Sequence, residues 1–435
     1  MLPEPMDTPV SRRLRPGARG GGGAAVLLAL MLGLWAAPAA AQITSVPTAV
    51  AGFVGEAEQG PFDQPVAVAS YAEFTTLFGA DTAGLALPHL APSVQLFFQN
   101  GGTRAWIVRV ADGSDAALIG SAGGPGPATG LQALRGIDEI TLLAVPGATS
   151  PAVHVAMLAE CESLADRMCL LDPASRDDVS AVLAERAGVV APEGFGALYF
   201  PWFEAFFGGG TVDVPPSGVV AGVISRNDDL YGVWNAPAGT TGGAVLGVTG
   251  LTYAVSSTDQ SLLNPESVNA IRDFGTSGIL LFGARTLATD PTYRFVSTRR
   301  FATNVAESIR EGTGYALAQP NDGALWAQLE ADATAYLTSL YSAGAFPGTT
   351  TADAFFVRCD GTTMTALDIA EGRTVLLVGI APEVPEEFIV LRIEYERSTP
   401  APVPGIAGPG LFVLALLCGG LATRSRALRG RAAGA

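Results

Sequence analysis

The chain has 435 residues, enough for two or more substantial cores, and with 49% hydrophobic and 15% charged residues its composition is globular rather than disordered. It carries 25 basic residues against 41 acidic ones and no lysine, which excludes a lysine Schiff base, a Gly-x-x-x-x-Gly-Lys phosphate loop and lysine-dependent hydrolysis. Four arginines and two acidic residues precede residue 42 and four arginines follow residue 397, so the body between keeps 17 arginines against 39 acidic residues, a field that repels phosphate backbones and argues against nucleic-acid partners.

Residues 1–41 have the form of an export signal. Arg12, Arg13, Arg15 and Arg19 make a basic region, residues 24–35 are apolar, and Ala39-Ala40-Ala41 before Gln42 is a small-residue cleavage site, so Ala41 and Gln42 flank the expected cut. Ser11-Arg12-Arg13 hints at twin-arginine export; the alternative is a disordered head ahead of a later start. Beyond it, residues 43–55 and 65–70 read as strands, 71–79 and 93–100 as short helices, and 104–110 as a strand.

Residues 112–129, rich in Gly, Ala and Pro, read as a loop. A strand is expected over 137–145, then Ser150-Pro151 as N-cap and first-turn proline of a helix whose stripe is Val153, Met157, Cys161 and Leu164. Residues 168–171 read as a strand, Ser175 as the cap of a helix through Val179 and Leu183 to Gly188, and 196–200 as a further strand. Alternating strands and helices at this spacing predict an α/β fold: a parallel or mixed sheet core covered by helices on both faces. Phe203, Phe206 and Phe207 beside Gly208-Gly209-Gly210 read either as a mobile interface loop or as a loop tucked into the core. Helices are expected over 217–230 and from Asn264-Pro265 through Val268 and Ile271 to Gly275.

In residues 280–396, Phe301, Val305 and Ile309 lie four apart before Gly312, which predicts an amphipathic helix over 298–312 with a glycine end. Asp322 can cap the next helix, whose stripe is Leu325, Leu329, Tyr336, Leu337 and Leu340, with Gly344 after its last turn. Strands follow over 354–358, 374–380 and 387–396. In the last, Ile389, Leu391, Ile393 and Tyr395 alternate with Val390, Arg392, Glu394 and Glu396, a pattern suited to a sheet edge or to pairing with another chain.

Several short sequences in this stretch resemble the C-terminal domain of contractile phage tail sheath proteins: Gly283-Ala284-Arg285-Thr286-Leu287, Asp290-Pro291 with Tyr293-Arg294, Arg299-Arg300, Pro320-Asn321-Asp322 with Leu325-Trp326, Ala354 to Asp360, and Val378-Gly379-Ile380-Ala381-Pro382 before Pro385-Glu386-Glu387-Phe388. The resemblance extends upstream through Ala51-Gly52-Phe53-Val54-Gly55, the run from Phe97 to Trp106, and Gly232-Val233-Trp234-Asn235-Ala236-Pro237-Ala238-Gly239, and covers roughly residues 43–396. It implies an N-terminal sheath segment over 42–110, an α/β core over 111–279 and an α+β sheath domain over 280–397, with no large inserted outer domain.

The resemblance further implies a homo-oligomeric structural subunit stacked in rings on a tail-tube-like partner, with terminal strands exchanged between neighbours. The strand carrying Phe388, Ile389, Val390, Leu391, Arg392, Ile393 and Tyr395 is the candidate interface; the plainer alternative is an internal strand that ends the domain. Sheath proteins carry an arm ahead of the Ala51-Gly52-Phe53 sequence, and cleavage at Gln42 would leave only a few residues there.

Residues 399–409 form a Pro/Gly/Ala-rich linker, 410–422 an apolar run, and Arg424, Arg426, Arg429 and Arg431 a basic end. Residues 398–435 resemble bacterial C-terminal sorting signals of the PEP class, although Pro402-Val403-Pro404-Gly405 lacks the usual glutamate; a plain membrane anchor with its arginines inside is the other reading. The two ends point to an exported protein of the cell envelope or surface, against cytoplasmic assembly into a phage-tail-like particle. The second functional reading is therefore an envelope-anchored sheath-fold surface protein that forms no contractile sheath.

No enzymatic chemistry, cofactor or metal is expected. His89 and His154 lie in different segments without a ligand-like partner spacing, and an ordinary surface or boundary place is expected for His154. Arg226 with Asp228-Asp229 reads as a solvated helix end. Cys161, Cys169 and Cys359 are expected as buried thiols, one disulfide being the alternative.

Overall fold

The computed structural model of the protein describes residues 43–396 apart from 125, 177, 385 and 386. The expected export signal, the Ala41 and Gln42 junction and the tail beyond residue 397 lie outside the described residues.

Strands made only of apolar or small residues fall in the middle of a sheet, because both of their faces must be covered. Ala51–Gly55 (β1) is buried at all five positions and pairs in parallel with Ala105–Arg109 (β3) on one side and Leu142–Ala144 (β4) on the other. Val66–Val68 (β2) closes that side, antiparallel to β3. From β4 the sheet continues in parallel through Met168–Leu171 (β5), Gly196–Phe200 (β6) and Val268–Asp273 (β10), and ends on antiparallel Ile279–Leu281 (β11). The order of the eight strands is β11-β10-β6-β5-β4-β1-β3-β2, a parallel centre with an antiparallel strand at each edge.

Tyr71–Phe78 (α1), Leu90–Gln99 (α2) and Pro216–Tyr231 (α6) cover one face through Phe74, Phe78, Val94, Phe97, Val220 and Ile224. Asp115–Ile119 (α3), Pro151–Leu164 (α4) and Val179–Ala187 (α5) cover the other through Leu118, Val153, Met157, Cys161 and Val182. Phe203–Phe207 (β7) and Gly210–Val214 (β8) form a hairpin joined by Gly250–Leu251 (β9) into a small sheet. Gly208 at φ 59° and Gly209 at φ 89° supply the left-handed turn this hairpin needs.

Several expectations are corrected. The helix expected through Val268 and Ile271 is strand β10: Val268, Asn269, Ala270 and Ile271 are all buried, and pairing to β6 overrides their helix-like spacing. The helix there is Ser257–Leu263 (α8), held by a Ser256–Asp259 capping box. No strand spans 43–50; the chain enters β1 only at Ala51. Asp178, not Ser175, caps α5, the expected strand over 137–145 shrinks to three residues, and the expected loop over 112–129 contains α3, capped by Ser114. Cys161 and Cys169 form a disulfide across the turn from α4 to β5, while Cys359 is a buried thiol whose pKa burial pushes up to about 12.

The remaining chain builds a third core. Gly239–Gly242 (α7) lies beside β11, where Leu281 N donates to Gly243 O at 2.8 Å, and Val296–Gly312 (α9) packs with Gly323–Ser342 (α10) against an antiparallel sheet. Asp322 caps α10 by accepting from the backbone N–H groups of Ala324 and Leu325 at 3.0 and 3.1 Å. Thr351–Ala354 (α11) and Ala366–Glu371 (α12) are single turns with their own capping boxes. The sheet consists of Phe355–Arg358 (β12), Arg373–Ile380 (β13) and Ile389–Glu396 (β14), in the order β12-β13-β14.

Candidate assembly surface

β14 pairs with β13 over its whole length, from Arg373 opposite Glu396 to Ile380 opposite Ile389. Among the described residues its other side meets no strand, so alternate backbone N–H and C=O groups along that edge are free to pair. The seven candidate residues divide by face. Ile389, Leu391, Ile393 and Tyr395 are buried in the third core, and the Tyr395 hydroxyl lies 2.5 Å from Thr313 Oγ1 at the end of α9. Phe388 meets the edge of the Phe356 ring with centroids 5.2 Å apart. Only Val390 and Arg392 point outward, Val390 being 40% exposed and Arg392 pairing with Glu394. The inward row of side chains therefore serves the strand's own core, and its unpaired edge is backbone.

A second built surface was not legible as such in the sequence. Residues 43–48 lie as an extended strap along α9 and are held by one row of its side chains. Arg300 donates to Thr48 O at 2.6 Å, Asn304 Nδ2 to Val46 O at 3.0 Å, and Ser308 Oγ accepts from Val46 N at 3.0 Å. These positions recur every four residues, so they form one ridge of the helix. Ser45 Oγ adds a 2.7 Å bond with the Tyr336 hydroxyl of α10. Gly312 ends the row: a Cβ there would lie 2.9 Å from the Ile43 side chain.

Arg300 also forms a buried ion pair with Asp228 of α6, at 2.6 and 2.9 Å, with both side chains 4% exposed. The expected solvated helix end is thus corrected: Asp228 ties α6 to α9, and Arg226 donates to the backbone carbonyls of Asn100 and Ala244. Arg299 lies between the rings of Phe195 and Tyr293, 4.0 Å from each centroid, and burial lowers its pKa. The adjacent pair Arg299-Arg300 in the first turns of a helix whose stripe is Phe301, Val305 and Ile309 is the sequence signal that marks this joint.

His154 is corrected from surface to interior. It is 3% exposed, with Nε2 3.0 Å from Ala148 O, and burial lowers its pKa. His89, 65 residues earlier in the chain, packs its ring on Gly147 and edge-on against Trp202, with centroids 4.9 Å apart. The two histidines thus touch adjacent residues at the carboxyl end of β4. Asp172 lies beneath them, accepting from Gly147 N at 3.0 Å and from Ser217 N and Oγ at 2.7 Å each. It caps α6 from outside, where Pro215 has no side chain able to do so, and burial pushes its pKa up to about 6.

Among the described residues no group of three His, Cys, Asp or Glu side chains is placed to hold a metal. A cavity of about 360 Å³ is lined by Trp234, Phe295, Thr298, Phe301, Pro382 and Glu383. Across it the Thr298 hydroxyl donates to Glu383.

No protein-family model matches the chain. Among curated proteins it is similar to the tail sheath protein of Escherichia phage P2, 26% identical over 310 residues that cover 64% of this chain and 74% of that protein. Among solved structures it is similar to the sheath complex of an extracellular contractile injection system (PVC) in its contracted state, with a TM-score of 0.66 and 26% identity over 87% of this chain and 97% of that one. It is likewise similar to the contracted helical sheath of the anti-feeding prophage, with a TM-score of 0.66 and 28% identity over 80% of this chain and 94% of that one. These likenesses support the contractile tail sheath family and a structural, homo-oligomeric role.

Proposed function

We propose that the protein is a structural sheath-type subunit whose β14 is the acceptor edge for an extended segment of a second copy. The observation that carries this reading is the eight-residue free edge of a strand fixed at every inward side chain to its own core. Such a strand adds a partner without leaving home. An added strand of that length would make about eight hydrogen bonds, and at ~0.5–1.5 kcal/mol each they contribute about 4–12 kcal/mol before ordering costs. A tail-tube-like protein is the further partner this role requires.

A second reading is an exported, envelope-anchored protein that keeps the fold without forming a contractile sheath. The Cys161–Cys169 disulfide favours it, because such bonds persist in oxidising compartments, and the two terminal segments agree with that direction. Electron microscopy and sedimentation velocity on the full chain in mild detergent separate the two. Rings or tubes support the sheath subunit; a persistent monomer, recovered with Gln42 as its first residue from the envelope fraction, supports the anchored form.

A further inference from the structure

We propose that residues 79–89, the connection from α1 to α2, form an acid-opened flap over the carboxyl ends of β4 and β5, with His89 as its sensing side chain. The flap has little core of its own. Most of it is exposed or half-buried, and its backbone is held by two carboxylates: Glu58 Oε2 accepts from Ala80 N at 3.1 Å and Asp81 N at 3.0 Å, and Glu56 Oε2 accepts from Leu87 N at 2.5 Å. Segments with few apolar contacts open at low cost. Its last residue, His89, is the part that reaches inward. The imidazole fills the space above Gly147, where a Cβ would come within 2.3 Å of Cδ2, and it makes no hydrogen bond. Gly147 also has φ 78°, so the site is built for a bare backbone under the ring.

The groups around it set the sign. Trp202 presents a ring fixed by its Nε1–H donating to Pro173 O at 2.7 Å. Asp213 of β8 is the nearest counter-charge, but it already pairs with Arg176 at 2.8 Å. Asp172 lies behind Gly147 with three hydrogen bonds already accepted, from Gly147 N, Ser217 N and Ser217 Oγ, and His154 stays bonded to Ala148 O. In the closed state His89 thus hydrogen-bonds to none of these groups, and its nearest counter-charge is already paired. Burial lowers its pKa to about 4, while an opened flap returns it to the ordinary ~6.5. For a pKa depressed in the closed form, the closed state is fully favoured above pH ~6.5 and loses ground as pH falls toward ~4. Asp172 has the opposite sign, since its raised pKa favours the folded form below pH ~6, and it stays buried when only the flap opens. Between pH ~6 and ~4 the two nearly cancel in global unfolding, whereas flap opening carries the His89 contribution without the Asp172 offset, and the contacts to Glu56 and Glu58 break with it in wild type and variant alike.

Hydrogen exchange on the full chain at pH 7.5 and 5.0, corrected for intrinsic rates, tests this. The linkage predicts about a thirtyfold rise in exchange through opening for peptides spanning 79–92, with β13 and β14 unchanged. His89→Asn should hold the rise below about threefold. An equal rise in both proteins, or the same rise in β13 and β14, overturns the proposal. Should His89→Asn fold poorly, NMR titration of the two histidines in the wild-type chain decides: a His89 pKa near 6.5 refutes the flap, and one at or below about 5 upholds it.

Discussion

Single side chains hold this protein together where its layers meet. Arg300 and Asp228 are both desolvated, so removing one leaves the other charged and unpaired. Asp228→Ala should lower the unfolding free energy by about 3–5 kcal/mol in a denaturant titration, whereas Asp228→Leu combined with Arg300→Met should cost much less. The cysteines give a second check at this scale. Alkylation of the folded, unreduced chain should leave Cys161 and Cys169 unlabelled as a disulfide and Cys359 unlabelled through burial, and after unfolding without reductant, mass spectrometry of the body should find only Cys359 labelled. Neither partnership was readable along the chain. Asp228 and Arg300 are 72 residues apart, and an Asp-Asp pair near a helix end has the same appearance whether it faces water or a distant arginine.

Elements were legible in proportion to how much of their shape is local. The α10 cap at Asp322, the alternation of β14 and the Ser150-Pro151 start of α4 all depend on neighbours within a few residues, and each forms as expected. β10 departs from its helix-like spacing because its burial comes from β6 and α5 and not from its own periodicity. The strap at 43–48 reads as part of a strand, yet it is held through its backbone by the side chains of α9. The outward face of β14 offers a test at this scale. Arg392→Glu would leave Val390 among three adjacent acids and should weaken assembly by like-charge opposition across the new strand pair. The monomer's stability should change by less than about 0.5 kcal/mol, because Arg392 is a surface residue. Unaltered sedimentation of the assembled form would count against β14 as the acceptor edge.

The whole molecule is acidic, with 17 arginines against 39 acidic residues between positions 42 and 397. Copies brought together repel one another, and salt screens that repulsion. Raising ionic strength from ~0.01 M to ~1 M shortens the Debye length from about 30 Å to about 3 Å, so assembly should strengthen with salt in sedimentation velocity. Weakening with salt would instead place complementary charge pairs at the centre of the interface. Within the molecule, α9 meets the strap, α6 and the edge sheet at one joint. That joint links the parallel core to β14 through buried polar contacts, and a load applied at the edge would reach the core along it.

The sequence by itself determined the alternation of strands and helices that makes an α/β core, the third core built on α9 and α10, and the period-two edge strand, because caps, turns and periodicity act over a few residues. It also carried the family resemblance, through short sequences in a fixed order. Only the tertiary structure decided that Arg299 and Arg300 are buried, that the two histidines lie against adjacent residues at the end of β4, and that Ile389, Leu391, Ile393 and Tyr395 of β14 are spent on their own core. Those outcomes depend on which distant segment covers a residue, and desolvation by a partner many residues away leaves no local trace in the chain.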